Sequence, residues 1–242
     1  MAKQRYSPLG DSAIRIGFGD KISEQINRTI RGFCESIKGD PPIGVIEWTP
    51  SYTAVTVYYQ PLETTYHELV AQLQILVNKL DEAVLPKAKR VFIPVCYGGE
   101  LGPDIDHVAI HNKLTVAEVV EIHSSSQYLI YMLGFTPGFP YMGGMSTAIS
   151  TPRLSVPRTL VPAGSVGIAG EQTGIYSLNT PGGWQIIGRT PLILYDANRE
   201  NPSLFEAGNY VQFRPIQKQE YDDITKLVEQ KTYELQFEFI DE

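Results

Sequence analysis

Between Gly134 and Pro191 the chain holds 11 glycines and 7 prolines in 58 residues, and its only charged side chains there are Arg153, Arg158, Glu171 and Arg189. This stretch carries +2 inside a protein whose formal net charge is -7. Lysine is absent from Leu114 to Gln217, so the positive charge is all guanidinium. A guanidinium presents a fixed fork of N–H donors that matches a carboxylate or a phosphate in two-point contact. Binding of an anion is the chemistry these residues favour. Pairing of the same arginines with carboxylates elsewhere in the chain is the competing explanation.

Aromatic surface accompanies the arginines. Phe135, Phe139 and Tyr141 alternate with Gly134, Pro137, Gly138, Pro140, Gly143 and Gly144, and Trp184 follows a Thr180-Pro181-Gly182-Gly183 turn. So many glycines and prolines exclude a helix or a regular strand, and long ordered loops of this kind commonly carry function, although a plug closing a barrel has the same composition. His123 lies just ahead of the strand that feeds this loop, where an imidazole serves as acid, base or donor, or else as a satisfied core or capping histidine. His107 and His111 stand four apart, but with no HExxH pattern and no third ligand they read as a solvated helix face, and no metal site is expected. Gly164, Gly167, Gly170 and Gly174 imitate a phosphate-loop spacing without the Gly-Lys-Ser/Thr that would complete it. No GxSxG elbow, Ser-His-Asp order or CxxC pair is present, so nucleophilic catalysis by this chain alone has no sequence support. Cys34 and Cys96 sit far apart in apolar surroundings and read as packing residues.

The elements that must position these residues divide the chain. Its 242 residues, 43% apolar and 19% charged, fit two soluble globular domains. The acidic balance gives no global basis for binding nucleic acid, and no run approaches the roughly 18 apolar residues of a membrane span. With no secretory signal at the N-terminus, a cytoplasmic location is expected. Fifteen of the 21 glycines lie at or beyond Gly98, which places a boundary near 90–100. Before it, strands at 12–18, 43–48, 53–59 and 91–97 alternate with helices over 22–39 and 64–82. The resulting order βαββαβ is that of a ferredoxin-like α+β domain, residues 1–95, with Pro94 hinting at an edge or a bulge in its last strand. Two short helices are expected near 104–111 and after Thr115, where Glu118 stands at capping-box spacing. Short apolar strands at 128–133, 165–169, 174–178, 184–187, 192–195 and 210–213 then predict an all-β barrel or sandwich over residues 96–216. Residues 217–242 read as a charged surface helix with a frayed tail.

Four motifs converge on one family. Gly10-Asp11-Ser12-Ala13, the run PVCYGGELGPD from Pro94, the run LGFTPGFPYMGG from Leu133, and VPAGSVGIAGEQTGIYSLNTPGGWQIIGRTP from Val161 to Pro191 resemble the family of KipI and the 5-oxoprolinase B subunit, also called allophanate hydrolase subunit 1-like. The similarity runs in order from Tyr6 to about Ile216, with Met142 where leucine is common and an extended charged tail beyond it. The resemblance implies a ferredoxin-like domain followed by a cyclophilin-like β-barrel. It also implies one component of an ATP-dependent 5-oxoprolinase, working with the A and C subunits, that opens 5-oxoproline to L-glutamate. ATP, with Mg2+, is then expected in a site shared with the C subunit. On this reading Arg158, Arg189, Glu171 and His123 are the candidate catalytic residues. Phe135, Pro137, Phe139, Tyr141, Arg153, Gln172, Thr173, Thr180 and Trp184 are the candidates for binding substrate or partner. The same family implies a second activity, inhibition of a sporulation histidine kinase through its dimerisation and phosphotransfer helices. A prolyl isomerase reading has little support, because a fold does not transmit an activity.

Overall fold

Period-two and period-3.6 apolar patterns place the elements of the first unit. In the computed structural model, which describes residues 4–80 and 85–240, these are β1 (Arg5–Pro8), β2 (Ala13–Gly17), α1 (Glu24–Gly39), β3 (Val45–Pro50), β4 (Ala54–Tyr59) and α2 (Tyr66–Asn78). The strands form one antiparallel sheet in the order β1-β2-β4-β3. Ile14, Ile16, Val55, Val57 and Tyr59 cover one face of it and pack in one core with Ile30, Phe33 and Ile37 of α1 and Leu69, Leu73 and Leu76 of α2. The helix starts follow from capping. The Ser23 hydroxyl accepts from the Ile26 N–H at 3.2 Å, so α1 begins after Ile22, which is left exposed. Thr65 and Glu68 close a reciprocal capping box on α2. The end of that helix expected near Glu82 lies outside the described residues.

One expectation fails here. The strand predicted at 91–97 does not complete the first sheet, and the edge beside β2 is filled from the N-terminal side by β1. The expected strand is the end of β5 (Ala88–Tyr97), which belongs to the second unit; the two units are 1–86 and 87–242, so the division falls ahead of the expected 95/96 boundary. Hydrophobicity alone does not say which sheet a strand joins, because β5 offers the same apolar alternation to either.

The second unit continues with α3 (Ile105–Asn112), α4 (Val116–Ser125), β6 (Gln127–Leu133), β7 (Pro140–Gly143), β8 (Arg158–Val161), β9 (Ser165–Ala169), β10 (Gln172–Ile175), β11 (Thr180–Gly182), β12 (Gln185–Arg189), β13 (Tyr210–Pro215), α5 (Lys218–Glu229) and β14 (Phe237–Ile240). Its main sheet runs β10-β9-β12-β5-β13-β6-β7, with β14 on the first half of β5, and β7 and β10 at its two ends approach each other, so the sheet is a nearly closed barrel. β8 and β11 form a separate two-stranded ribbon. Pro94 sits in the middle of a central strand. By the alternation of the strand its nitrogen points to the side where β14 has ended, at the Phe92 N–H to Gln236 carbonyl bond, and β12 has not begun, at the Cys96–Arg189 pair, so no hydrogen bond is lost.

The unit is not all-β. Ile105 and Val108 of α3, Val119 of α4 and Ile224 of α5 share one core with Ile93, Val95, Ile130, Val166, Ile168 and Phe213 of the sheet. Thr115 and Glu118 form the expected capping box of α4. The run at 192–195 is not a strand. Its alternating Leu192 and Leu194 reach the core from an irregular segment held by one isolated bridge, Tyr195 to Ser203. Nor is the C-terminal region a frayed appendage, since α5 packs Ile224 into the core and the chain returns to pair β14 antiparallel to β5. Replacement of Ile224 by Ala is therefore expected to lower the unfolding free energy by about 2–4 kcal/mol in urea titrations; an unchanged midpoint would mean that the tail is dispensable.

Candidate functional site

At the approach of β7 and β10, a cleft of about 350 Å³ is lined by Phe135, Phe139, Tyr141, Arg153, Gln172 and Trp184, together with Pro157, Tyr176 and the Pro181 to Gly183 turn. Phe139 is its centre. The ring lies edge-on to Phe135, Tyr141, Tyr176 and Trp184 with centroids 5.7, 5.4, 6.0 and 5.9 Å away, an arrangement that sets positive ring edges against negative faces. Two glycines make room for the cluster. A Cβ at Gly174 would stand 2.9 Å from the Trp184 ring and 3.1 Å from that of Phe139, and one at Gly182 would stand 2.3 Å from the Tyr176 hydroxyl. The pKa of that hydroxyl is raised by burial, against the opposing pull of the Trp184 backbone and of Arg153 and Arg158.

The structure separates the sequence candidates. Phe139, expected as exposed contact surface, is only 4% exposed and serves as packing, whereas Phe135 at the mouth is 69% exposed. Phe135 also has φ of +65°, a left-handed conformation that costs an aromatic residue energy. The loop holds it there. Gly134 N–H donates to the Phe139 carbonyl at 3.1 Å, and the Ser177 hydroxyl donates to the Pro137 carbonyl at 2.7 Å, which is the part Pro137 plays. Thr180 lies on β11, with its hydroxyl on the Pro181 carbonyl, next to the cleft and outside its lining.

Of the three arginines only Arg153 lines the cleft, and among the described residues it has no hydrogen bond or ion pair. Arg158 is engaged: Nη2 donates to Asp104 Oδ1 at 2.7 Å and Nη1 to the Trp184 carbonyl at 3.3 Å. Arg189 donates from Nε to the Ala163 carbonyl at 2.9 Å, away from the cleft. Glu171 is exposed at the β9–β10 turn and does not reach the lining. The expected catalytic group of Arg158, Arg189, Glu171 and His123 is thus not assembled, because Asp104 and the Trp184 carbonyl engage both Nη groups of Arg158 and the Ala163 carbonyl holds Arg189 away from the cleft.

His123 is fully buried in α4, stacked on Phe213 at 4.4 Å. Nδ1 lies 2.8 Å from the Tyr97 hydroxyl and Nε2 lies 2.8 Å from the Thr173 hydroxyl. Thr173 gives its one proton to the Gly167 carbonyl, so Nε2 must be the donor to Thr173 and Nδ1 the acceptor from Tyr97. Burial pushes the imidazole down to about 3, which keeps it neutral in this chain of bonds. His123 and Thr173 therefore tie α4, β5 and β10 together behind the cleft and do not face it.

A second hollow of about 390 Å³ lies between residues 192–204 and 228–235. Its rim has two acids, Asp196 and Glu229, against Arg199 and Lys231, and Arg199 already pairs with Asp196, so it offers no net attraction to an anion.

Comparison with known proteins identifies the family. The sequence matches the carboxyltransferase domain family, subdomains C and D, over residues 4–205. It is 44% identical over 229 residues to the 5-oxoprolinase B subunit of Bacillus subtilis (strain 168), covering 90% of this chain and 95% of that one. The chain belongs to the 5-oxoprolinase B-subunit family. The family's representative in Escherichia coli O157:H7 is 40% identical over 215 residues, 89% of this chain and 97% of that one. The fold recurs in the urea carboxylase of Kluyveromyces lactis, with a TM-score of 0.76 at 19% identity over 97% of this chain and 24% of that one.

Within this member of the 5-oxoprolinase B-subunit family, Tyr176, Pro157 and Asp104 are the site residues that sequence reasoning missed. Tyr176 sits in an apolar run that reads as plain core, and Asp104 is 54 residues from the arginine it meets. Only the shared motifs, which contain both Asp104 and Tyr176, carried a signal for them.

The buried imidazole has a measurable consequence. Its folded pKa lies below the unfolded value of about 6.5, so its contribution to stability is complete above that pH and is lost as pH falls towards about 3. The slope from this group approaches about 1.4 kcal/mol per pH unit. Urea unfolding of His123→Gln between pH 7 and 4 is expected to show a shallower decline than the parent, and equal slopes would contradict a neutral buried histidine.

Proposed function

We propose that this chain is the B subunit of an ATP-dependent 5-oxoprolinase that opens 5-oxoproline to L-glutamate with the A and C subunits, and that the cleft contacts the substrate. The observation that supports this is the lone guanidinium of Arg153 on an otherwise aromatic wall. A small ring with one carboxylate matches that pattern, its carbons against Tyr141 and Trp184 and its charge on Arg153. The five-membered lactam is a stable amide. Transfer of a phosphoryl group from ATP to its oxygen, with release of ADP, would give water an activated carbon to attack. Opening of the ring C–N bond would then free the amine and leave an acyl phosphate, from which a second water would release phosphate to give L-glutamate.

The lining residues contain no carboxylate, histidine or lysine, so the cleft can bind and orient but lacks an acid–base pair of its own. Among the described residues no three His, Cys, Asp or Glu side chains come together as metal ligands. The residues present therefore do not fit a magnesium-nucleotide site by themselves, and in this proposal ATP and its magnesium are held jointly with the C subunit, the isolated chain being inactive. The same proposal takes the first unit as ferredoxin-like, with β1 in the place of its last strand, and the barrel as cyclophilin-like.

Reconstitution with the A and C subunits, ATP and 5-oxoproline tests the assignment through glutamate formation. A charge-assisted contact contributes about 1.5–3 kcal/mol, so Arg153→Ala is expected to raise KM for 5-oxoproline roughly 10- to 100-fold. An unchanged KM removes Arg153 from the site, and turnover without this chain removes it from the enzyme.

A second reading, inhibition of a histidine kinase through its dimerisation helices, is favoured by one observation: Phe135 is held exposed in a strained conformation. Phe135→Gly relieves the strain while removing the ring. It is expected to leave thermal stability equal or higher and to abolish binding to the kinase helices in calorimetry; undiminished affinity would reject this reading.

A further inference from the structure

Asp104 occupies the N-cap position of α3 and does not cap it. In α1, α2 and α4 the side chains of Ser23, Thr65 and Thr115 each accept a backbone N–H of the first turn, whereas the Asp104 carboxylate makes no such bond. An aspartate at this position ordinarily stabilises a helix by accepting from its first turn. Here both oxygens point elsewhere. Oδ1 accepts from Arg158 Nη2 at 2.7 Å and Oδ2 accepts from the Ile186 N–H at 2.6 Å, while the Asp104 N–H donates to the Ile186 carbonyl at 2.9 Å.

Every partner of this pair surrounds one residue. Arg158 Nη1 reaches the Trp184 carbonyl at 3.3 Å, Ile186 follows Trp184 by two positions, and on the other side the Gly183 carbonyl accepts from the Leu154 N–H at 2.7 Å. The peptide groups on both sides of Trp184 are therefore fixed. The indole lies edge-on to Phe139 and Tyr176 over the space left by Gly174.

We propose that Asp104 and Arg158 are positioning residues that set the Trp184 wall of the cleft, and that Asp104 serves this in place of capping α3. The proposal deepens the assignment of the cleft to the substrate, and its structural half stands without that assignment. Rigid support from a second layer of charge-assisted bonds is how a binding surface is held to its working geometry.

The test separates a clamp from a cap. Asp104→Ser can cap α3 but cannot hold Arg158, and Arg158→Lys keeps the charge without a fork that reaches both Asp104 and the Trp184 carbonyl. The chain has two tryptophans, so in a Trp48→Phe background the fluorescence reports Trp184 alone. Both variants are expected to keep their circular dichroism spectra while Trp184 emission shifts to the red and is quenched more strongly by acrylamide, Asp104→Ser more than Arg158→Lys. In the complex with the A and C subunits, KM for 5-oxoproline is expected to rise roughly tenfold with kcat little changed. Unaltered emission and quenching in Asp104→Ser would overturn the proposal, as would an equal response in a variant that only weakens the start of α3, such as Asp106→Ala, which removes an acid from its first turn. Should the parent complex fail to turn over 5-oxoproline, the substrate assignment falls, and the fluorescence still decides the clamp.

Discussion

A sheet that wraps round a filled interior without joining its last two strands must be closed by side chains. In this protein β7 and β10 stand at the two ends of the strand order and come close without forming a ladder. Unpaired strand edges are otherwise open to association with other chains. The seam is filled by Phe139, which leads into β7, and by Trp184, both lying over Gly174 of β10, with Tyr176 edge-on to the two of them. The aromatic cleft follows from this closure. Rings large enough to bridge the gap leave a concave surface on their outer side, and the Pro- and Gly-rich loops that the seam demands supply its rim.

The two polar arrangements of the second unit lie on opposite sides of that seam and solve the same difficulty. Behind it, the directed chain from Tyr97 through His123 and Thr173 to the Gly167 carbonyl fixes β10 from within, at the cost of burying an imidazole that must remain uncharged. In front of it, Asp104 and Arg158 fix the backbone that carries Trp184. Each buried polar atom in these chains has a partner, so the low local dielectric strengthens the bonds. The candidate site is therefore held by polar contacts and faced with apolar rings.

How far this was legible in the sequence differs by element. The capping box of Thr115 and Glu118 depends on residues three apart and forms as expected, and Thr65 with Glu68 forms a second that was not singled out. The stripes of α1 and α2 likewise reflect local spacing. The destination of β5 was not legible, since its residues alternate for a sheet without naming which one, and the decision is made by β13 more than 110 positions later. The same holds at the site. Phe135, Phe139, Tyr141, Arg153 and Trp184 stood out as aromatic residues and a guanidinium in a Gly- and Pro-rich stretch, Gln172 was named only on the family resemblance, and the fold brings these six together. Arg158 was selected by the same reasoning and is drawn away by Asp104, a carboxylate that local composition could not pair with it.

The charge count of the cleft then bears on the division of labour in the proposed complex. Of the groups that could move a proton, the lining offers only the Tyr141 and Tyr176 hydroxyls, and burial raises the pKa of Tyr176. A tyrosine so placed is a poor base near neutral pH. Arg153 can steady a carboxylate or a developing anion but cannot accept a proton. What this surface contributes is orientation, and orientation is worth most when the wall does not move. That is consistent with four residues, Asp104, Arg158, Tyr176 and Gly174, being devoted to the placement of one indole ring, and with the phosphoryl and water chemistry of the proposed reaction being supplied by the partner subunits.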